Sequence, residues 1–413
     1  MQKLTSLIAF ALVTLMFVQC QTDEIIELPI EEVPEVLTGE TIEVLENINE
    51  DVTWTSGNTY ILTDLIAVTE GATLTIEPCV VVKAVAGPTG LLVDQGAKLK
   101  AVGTPDCPII FTSTQDELEP GQLTSPNLTG EDVGLWSGLI LLGNAPVSSM
   151  PGDNNIFMVL PQDYLFSFGG DAAEDNSGML EYVSIRHTGA ETAPFELPSG
   201  LTLCGVGSGT TLNHIESFAN ADDGLRVIGG NFNLNHFVAS HFNDDAIDID
   251  RGYAGSMNNL IGIGGNEDDS AIELDGGEGS FNPLFTIQNA SFQGGQNGEL
   301  YLDFRNDVNC LIKDSYFFGF DSNALVRLRS DNEAESWVNE LIDVSNLEFN
   351  VLHLDTGNTS IESIFQDTGD NTEDAFSTRL PNASIVSEPT VGADKDAFTG
   401  WTLADLAGNL DDF

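Results

Sequence analysis

From Val52 onward, apolar and polar residues alternate in short runs that are broken by Gly, Asn and Asp, and no stretch sustains a long helical period. Alternation of this kind predicts strands with one face in a core and the other in solvent. The runs are also copies of one another. "ADDGLRVIGG" (221–230), "NDDAIDIDRG" (243–252) and "EDDSAIELDGG" (267–277) are versions of one phrase, and "GELYLDFRND" (298–307) and "NALVRLRSD" (323–331) are weaker ones. The apolar pairs Leu225/Val227, Ile247/Ile249, Ile272/Leu274 and Leu300/Leu302 recur every 22, 25 and 28 residues.

A second phrase runs in step: "TLNHIESF" (211–218), "NLNHFVAS" (233–240) and "MNNLIGIG" (257–264), with Asn213, Asn235 and Asn259 read as equivalent. Two strand-and-turn phrases per repeat describe one coil of a parallel β-solenoid, in which each coil buries a stripe of side chains against its neighbours. The chain here resembles the right-handed parallel β-helix superfamily, the pectin-lyase-like fold. With "GATLTIEPCVVVKAVAG", "GLLVDQGAKLKAVGTPDCPIIFTS", "GLWSGLILLGNAP" and "SGLTLCGVGSGTTLNHI" it is similar to a family of Bacteroidota β-helix surface lipoproteins. The resemblance implies an all-β fold, a single right-handed parallel β-helix over 52–400, and a cell-surface location, with no assigned activity. The segments 114–134 and 145–178 read as long insertions between coils, where binding specificity often sits.

The ends carry different signals. "MQKLTSLIAFALVTLMFVQC" has a basic Lys3, an apolar run from Leu7 to Val18 and then Cys20. The run is short for a membrane span and is placed as a secretory signal over 1–19, with Cys20 as a lipid-acceptor site. This predicts a membrane partner through a lipid anchor, in the outer membrane and facing outward. Residues 20–51 are rich in acidic groups, lack basic ones and read as a disordered, extended tether. The tail "WTLADLAGNLDDF" (401–413), with Trp401, Leu403, Leu406 and Leu410, is expected to cap the last coil.

Charge narrows the function. The 413 residues hold 65 Asp and Glu against 13 Lys and Arg, a net charge of −52. Nucleic acid is excluded as a partner because phosphate binding needs a basic footprint. Polyanionic substrates need a bridging divalent cation. A glycan or another surface protein remains as the expected ligand of a non-enzymatic binding or structural protein.

Stacking the copies places Arg226, Asp248, Glu273, Tyr301 and Arg327 in one outward ladder, and Ile228, Asp250, Asp275 and Asp303 in a second. Rungs about 4.8 Å apart and i,i+2 neighbours roughly 7 Å apart match carboxylate separations in glycosidases. Asp248, Asp250, Glu273 and Asp275 are therefore the catalytic candidates of an alternative hydrolase reading. Arg226, Arg251 and Arg305 are the candidate bases of an alternative polysaccharide lyase. Any acidic patch on a β-helix meets both spacings, so the binding reading is preferred. Asp222/Asp223, Asp244/Asp245 and Asp268/Asp269 recur at 22 and 24 residues, at the turn into the same sheet. Their mutual repulsion is relieved by solvation, by raised pKa values or by a hard cation held by oxygens, with Ca²⁺ favoured and Mg²⁺ a close rival.

His214 and His236 fall at one place in successive coils and read as a stacked surface ladder rather than a metal site. Cys79 and Cys107 enter the same strand in successive coils, which predicts a disulfide. Cys204 and Cys310 lie in apolar strands and are expected to be buried thiols.

Overall fold

The computed structural model describes residues 39–153, 155–159, 164–191, 198–351, 360–370 and 374–413. Cys20, the signal segment and most of the proposed tether lie outside them. Among the described residues, twenty-five strands pair in parallel into one continuous sheet that winds as a β-helix. Each strand pairs with its counterpart one coil on: Leu225 lies beside Ile247, and Ile247 beside Ile272. The inward residues Leu203, Val227, Ile249, Leu274, Phe304 and Leu328 are fully buried and line one wall of a single core. Apolar residues stacked on apolar neighbours in every coil explain why so short a strand holds its register.

A left-handed backbone step recurs in every coil of the middle region. Tyr182, His214, His236, Asn259, Asn289, Asp314 and Asn346 all have φ between 50° and 60°, and each breaks a long strand into two halves that face different directions. Asn and Asp tolerate this conformation better than other residues with side chains. The step corrects the expected asparagine ladder: Asn213 and Asn235 pair onward with Asn258, while Asn259 occupies the left-handed corner.

Both expected ends shift. The helix begins before Val52, because Thr41–Val44 pairs with Thr59–Leu62 and Ile48 bridges to Val68 inside the core. Ile42, Val44 and Ile48 supply the apolar contacts that the acidic composition of 20–51 hid. The tail does not cap the last coil. Phe398, Trp401, Leu403, Ala404 and Leu410 pack on the outside of the middle coils, against Phe218, Val238, Ile261 and Ile263. Those outward apolar residues need cover, and Trp401 meets the rings of Tyr182 and His214 at 5.4 and 6.3 Å. In the last coils Trp337, Ile364, Phe365 and Phe376 complete the core instead.

Cys79 and Cys107 form the expected disulfide, with Cα atoms 4.7 Å apart. Cys204 and Cys310 are buried free thiols. The insertion after Ala145 carries an antiparallel hairpin, Ile156–Val159 with Tyr164–Ser167. Its flank at Val147 and Ser148 lies against Gly229, Gly252 and Gly277, beside the sheet that bears the acidic phrases.

Candidate charged face

The strands Leu225–Ile228, Ile247–Asp250, Ser270–Asp275, Leu300–Arg305 and Leu325–Leu328 form the wall on which the charged side chains collect. Alternation turns Arg226, Asp248, Glu273, Asp303 and Arg327 outward along one ladder. Asp303, not Tyr301, fills the fourth rung. Ile272 pairs with Leu302 and Leu274 with Phe304, so the apolar series Leu300, Leu302, Phe304 sits two residues away from the expected register. Tyr301 is buried in the core. In the second ladder Arg305, not Asp303, follows Asp275.

The corrected register changes the chemistry from an acidic face to a mixed one. Arg226, Arg251, Arg305, Arg327 and Arg329, five of the chain's seven arginines, gather here. Each is paired. Arg226 Nε lies 3.3 Å from Asp248 Oδ2, and Arg251 lies 3.7 Å from both Asp250 and Glu278. Asp303 is fully buried and takes ion pairs from Arg305, Arg327 and Arg329 at 2.5, 2.8 and 3.2 Å. Arg305 also reaches Glu273.

The carboxylates outnumber these partners, and burial raises several of them. Burial first, and then Asp244, raises Asp222 to about 6. Asp248 also rises to about 6 through burial, with Arg226 opposing. Burial and Asp250 lift Asp275 to about 7, while burial and Asp248 lift Glu273 to about 8 despite its pairing with Arg305. Arg226 moves the other way. Burial pulls it down, but Asp248, Asp223 and Asp222 outweigh that and hold it above its ordinary value.

At the turn into this wall the aspartate pairs divide their work. Asp223 accepts from Ser199 Oγ at 3.0 Å and from the Asp245 amide at 3.2 Å, and Asp245 accepts from the Ser270 amide at 3.0 Å. These buried carboxylates stitch one coil to the next. Asp222, Asp244 and Asp269 form the outer edge, where Asp269 N donates to Asp244 O. Asp268 departs from the expected stack: its carboxylate turns away to accept from the amides of Gly295 and Asn297 at 2.8 and 3.2 Å.

The other five carboxylates form two overlapping triads that share Asp244. Ligand atoms of Asp222, Asp223 and Asp244 lie within 4.8 Å of one another, as do those of Asp244, Asp245 and Asp269. Asp248, 6 % exposed, stands behind them and raises the proton affinity of Asp222, Asp223 and Asp245. Its Oδ1 is buried without a hydrogen-bond partner. The two triads, with their oxygens so close together, are a donor set suited to a hard divalent cation.

Farther along the same edge, a cleft of about 420 Å³ opens between Asn297, Glu299, Asp321, Asn323 and Arg327. Its walls combine the strand residues Leu300, Leu325 and Arg327 with turn residues of two coils, a junction that the repeat pattern does not reveal.

The family model of the pectate-lyase-like beta helix domain matches residues 46–385, and the chain belongs to that family. No curated protein and no solved structure matches the chain.

Proposed function

We propose that this protein is a lipid-anchored surface protein of the outer membrane that binds and does not cleave, with the charged wall as its recognition surface and a glycan or partner protein as ligand. The observation that carries this reading is the state of the arginines. A lyase base must give up its proton readily. Arg226, Arg305 and Arg327 are instead engaged by carboxylates that hold their proton affinity up. The same pairing occupies Asp248 and Asp303, the central acids of the ladder.

Ca²⁺ belongs to this reading. Asp222, Asp223, Asp244, Asp245 and Asp269 would hold it. The ion supplies positive charge to a wall that otherwise repels acidic ligands. The anchor rests on Cys20 and its apolar leader, and Cys20→Ser is expected to move the protein out of the membrane fraction.

The experiment on function is incubation of the full chain with neutral and acidic polysaccharides, with and without Ca²⁺. The expected result is neither new reducing ends nor ultraviolet absorbance from unsaturated products. Either signal, lost on Asp248→Asn or Arg251→Ala, would overturn the proposal in favour of a hydrolase or lyase.

A further inference from the structure

A second face of the helix has the opposite character. The half-strands that precede the left-handed corner present two outward ladders over four consecutive coils. One is Thr211, Asn233, Ser256 and Thr286; the other is Asn213, Asn235, Asn258 and Gln288. All eight side chains are hydroxyls or amides. In a chain with 65 acidic residues this is a neutral window, bounded by Glu181 on one side and Lys313 on the other.

The ladders bond among themselves at some rungs, where Ser256 Oγ donates to Asn233 Oδ1 at 2.7 Å and Asn258 Oδ1 accepts from Asn289 Nδ2 at 2.8 Å, and more loosely at others. Asn213 Nδ2 reaches Glu181 at 3.4 Å, Asn258 Nδ2 reaches Asn235 at 3.4 Å, and Gln288 Nε2 reaches Asn258 at 3.2 Å. Asn213 Oδ1 and His214 Nδ1 are buried without a partner. A cleft of about 400 Å³ lies over Thr211, Asn213, Asn233, Asn235 and His236. Along its border the rings of Tyr182, His214 and His236 stack at 4.4 Å spacing. Burial, and then His236, pushes His214 down to about 4, and burial lowers His236 as well, so this border is uncharged at neutral pH.

We propose that this face binds an uncharged, hydroxyl-rich polysaccharide strand laid along the helix axis. Amides both donate and accept, as sugar hydroxyls do, and their repeat of about 4.8 Å per coil offers one polar rung after another to a repeating ligand. A neutral ligand also escapes the repulsion that a net charge of −52 imposes on an anionic one. The site shares no residue with the charged wall and stands or falls apart from it.

The test is affinity electrophoresis of the full chain through gels that contain a neutral β-glucan, a mannan, a xylan or polygalacturonate. Retardation is expected in at least one neutral gel, unchanged by added salt. Asn235→Asp and Thr211→Asp each place a charge on an exposed rung, and each is expected to weaken retardation about tenfold, because the ligand would have to desolvate an unpaired charge. Their melting midpoints, compared with wild type, establish that both variants fold. No retardation in any neutral gel, or retardation left intact by both substitutions, would overturn the proposal.

Discussion

Arg327 donates from Nε and Nη2 to the two oxygens of Asp303, each at 2.8 Å, across one step between coils. A two-point pair of this kind fixes direction as well as distance. Its acid is fully buried and also serves Arg305 and Arg329. Asp303→Ala would leave three guanidinium groups clustered without their shared anion. The expected cost is about 3 kcal/mol, at the low end for a broken buried pair because the arginines are partly exposed. Denaturant unfolding measures it; a loss below about 0.5 kcal/mol, the range of an ordinary surface substitution, would show that the pair is incidental.

The disulfide joins residues 28 apart. Replacing Cys79 and Cys107 with serine is expected to lower stability by about 3 kcal/mol in the chain-entropy account. Peptide mapping of the oxidised protein without reductant should recover the linked pair, and two free thiols would refute it.

Acid should stabilise this protein over a range where most proteins are indifferent. Asp222 and Asp248 titrate at about 6, Asp275 at about 7 and Glu273 at about 8, whereas unfolded carboxyls titrate near ~4. Between those limits these carboxyls bind more protons in the folded chain than in the unfolded one. Burial lowers His187, His214, His236 and His241, however, and makes them act the other way below about 6.5. Above that the carboxyls act alone, so stability falls as pH rises from about 6.5 to about 8. Thermal unfolding in chelator is expected to show a higher midpoint at pH 6.5 than at pH 8. A midpoint that rises over that interval would mean that these carboxylates are relieved in some other way.

The C-terminal tail should behave as part of the side wall. Trp401 is 1 % exposed, and Ala404 N donates to Glu216 Oε1 at 2.8 Å. Trp401→Ala is expected to cost about 3 kcal/mol and to raise hydrogen exchange in Thr211–Asn220, Asn233–Phe242 and Ser256–Gly264. Faster exchange confined to Ile342–Asn350 and Asn382–Ile385 would restore the end-cap reading.

The solenoid was legible because its core is written in pairs such as Ile247/Ile249, whose spacing survives from coil to coil. The candidate wall was legible only while those pairs were unambiguous. At Leu300, Leu302 and Phe304 three apolar residues alternate, two registers bury equally well, and the choice moves Asp303 from one ladder to the other. At Asn258–Asn259 two identical neighbours hide which one takes the left-handed corner. Asp268 and Asp269 pose the same problem, and there a longer following turn draws Asp268 aside. The tail's destination depends on apolar residues such as Phe218 and Val238 that face outward, which alternation alone cannot report.

The most direct measurement is thermal unfolding at neutral pH in millimolar Ca²⁺ against chelator, at matched ionic strength, for wild type and Asp244→Asn. Asp244 belongs to both carboxylate triads. A cation bound only by the folded state raises its stability by mass action. The account predicts a higher midpoint in Ca²⁺ for wild type and a shift that largely disappears in Asp244→Asn. A wild-type midpoint that does not move between Ca²⁺ and chelator would contradict it, and would leave the aspartates of 222–269 as a solvated edge.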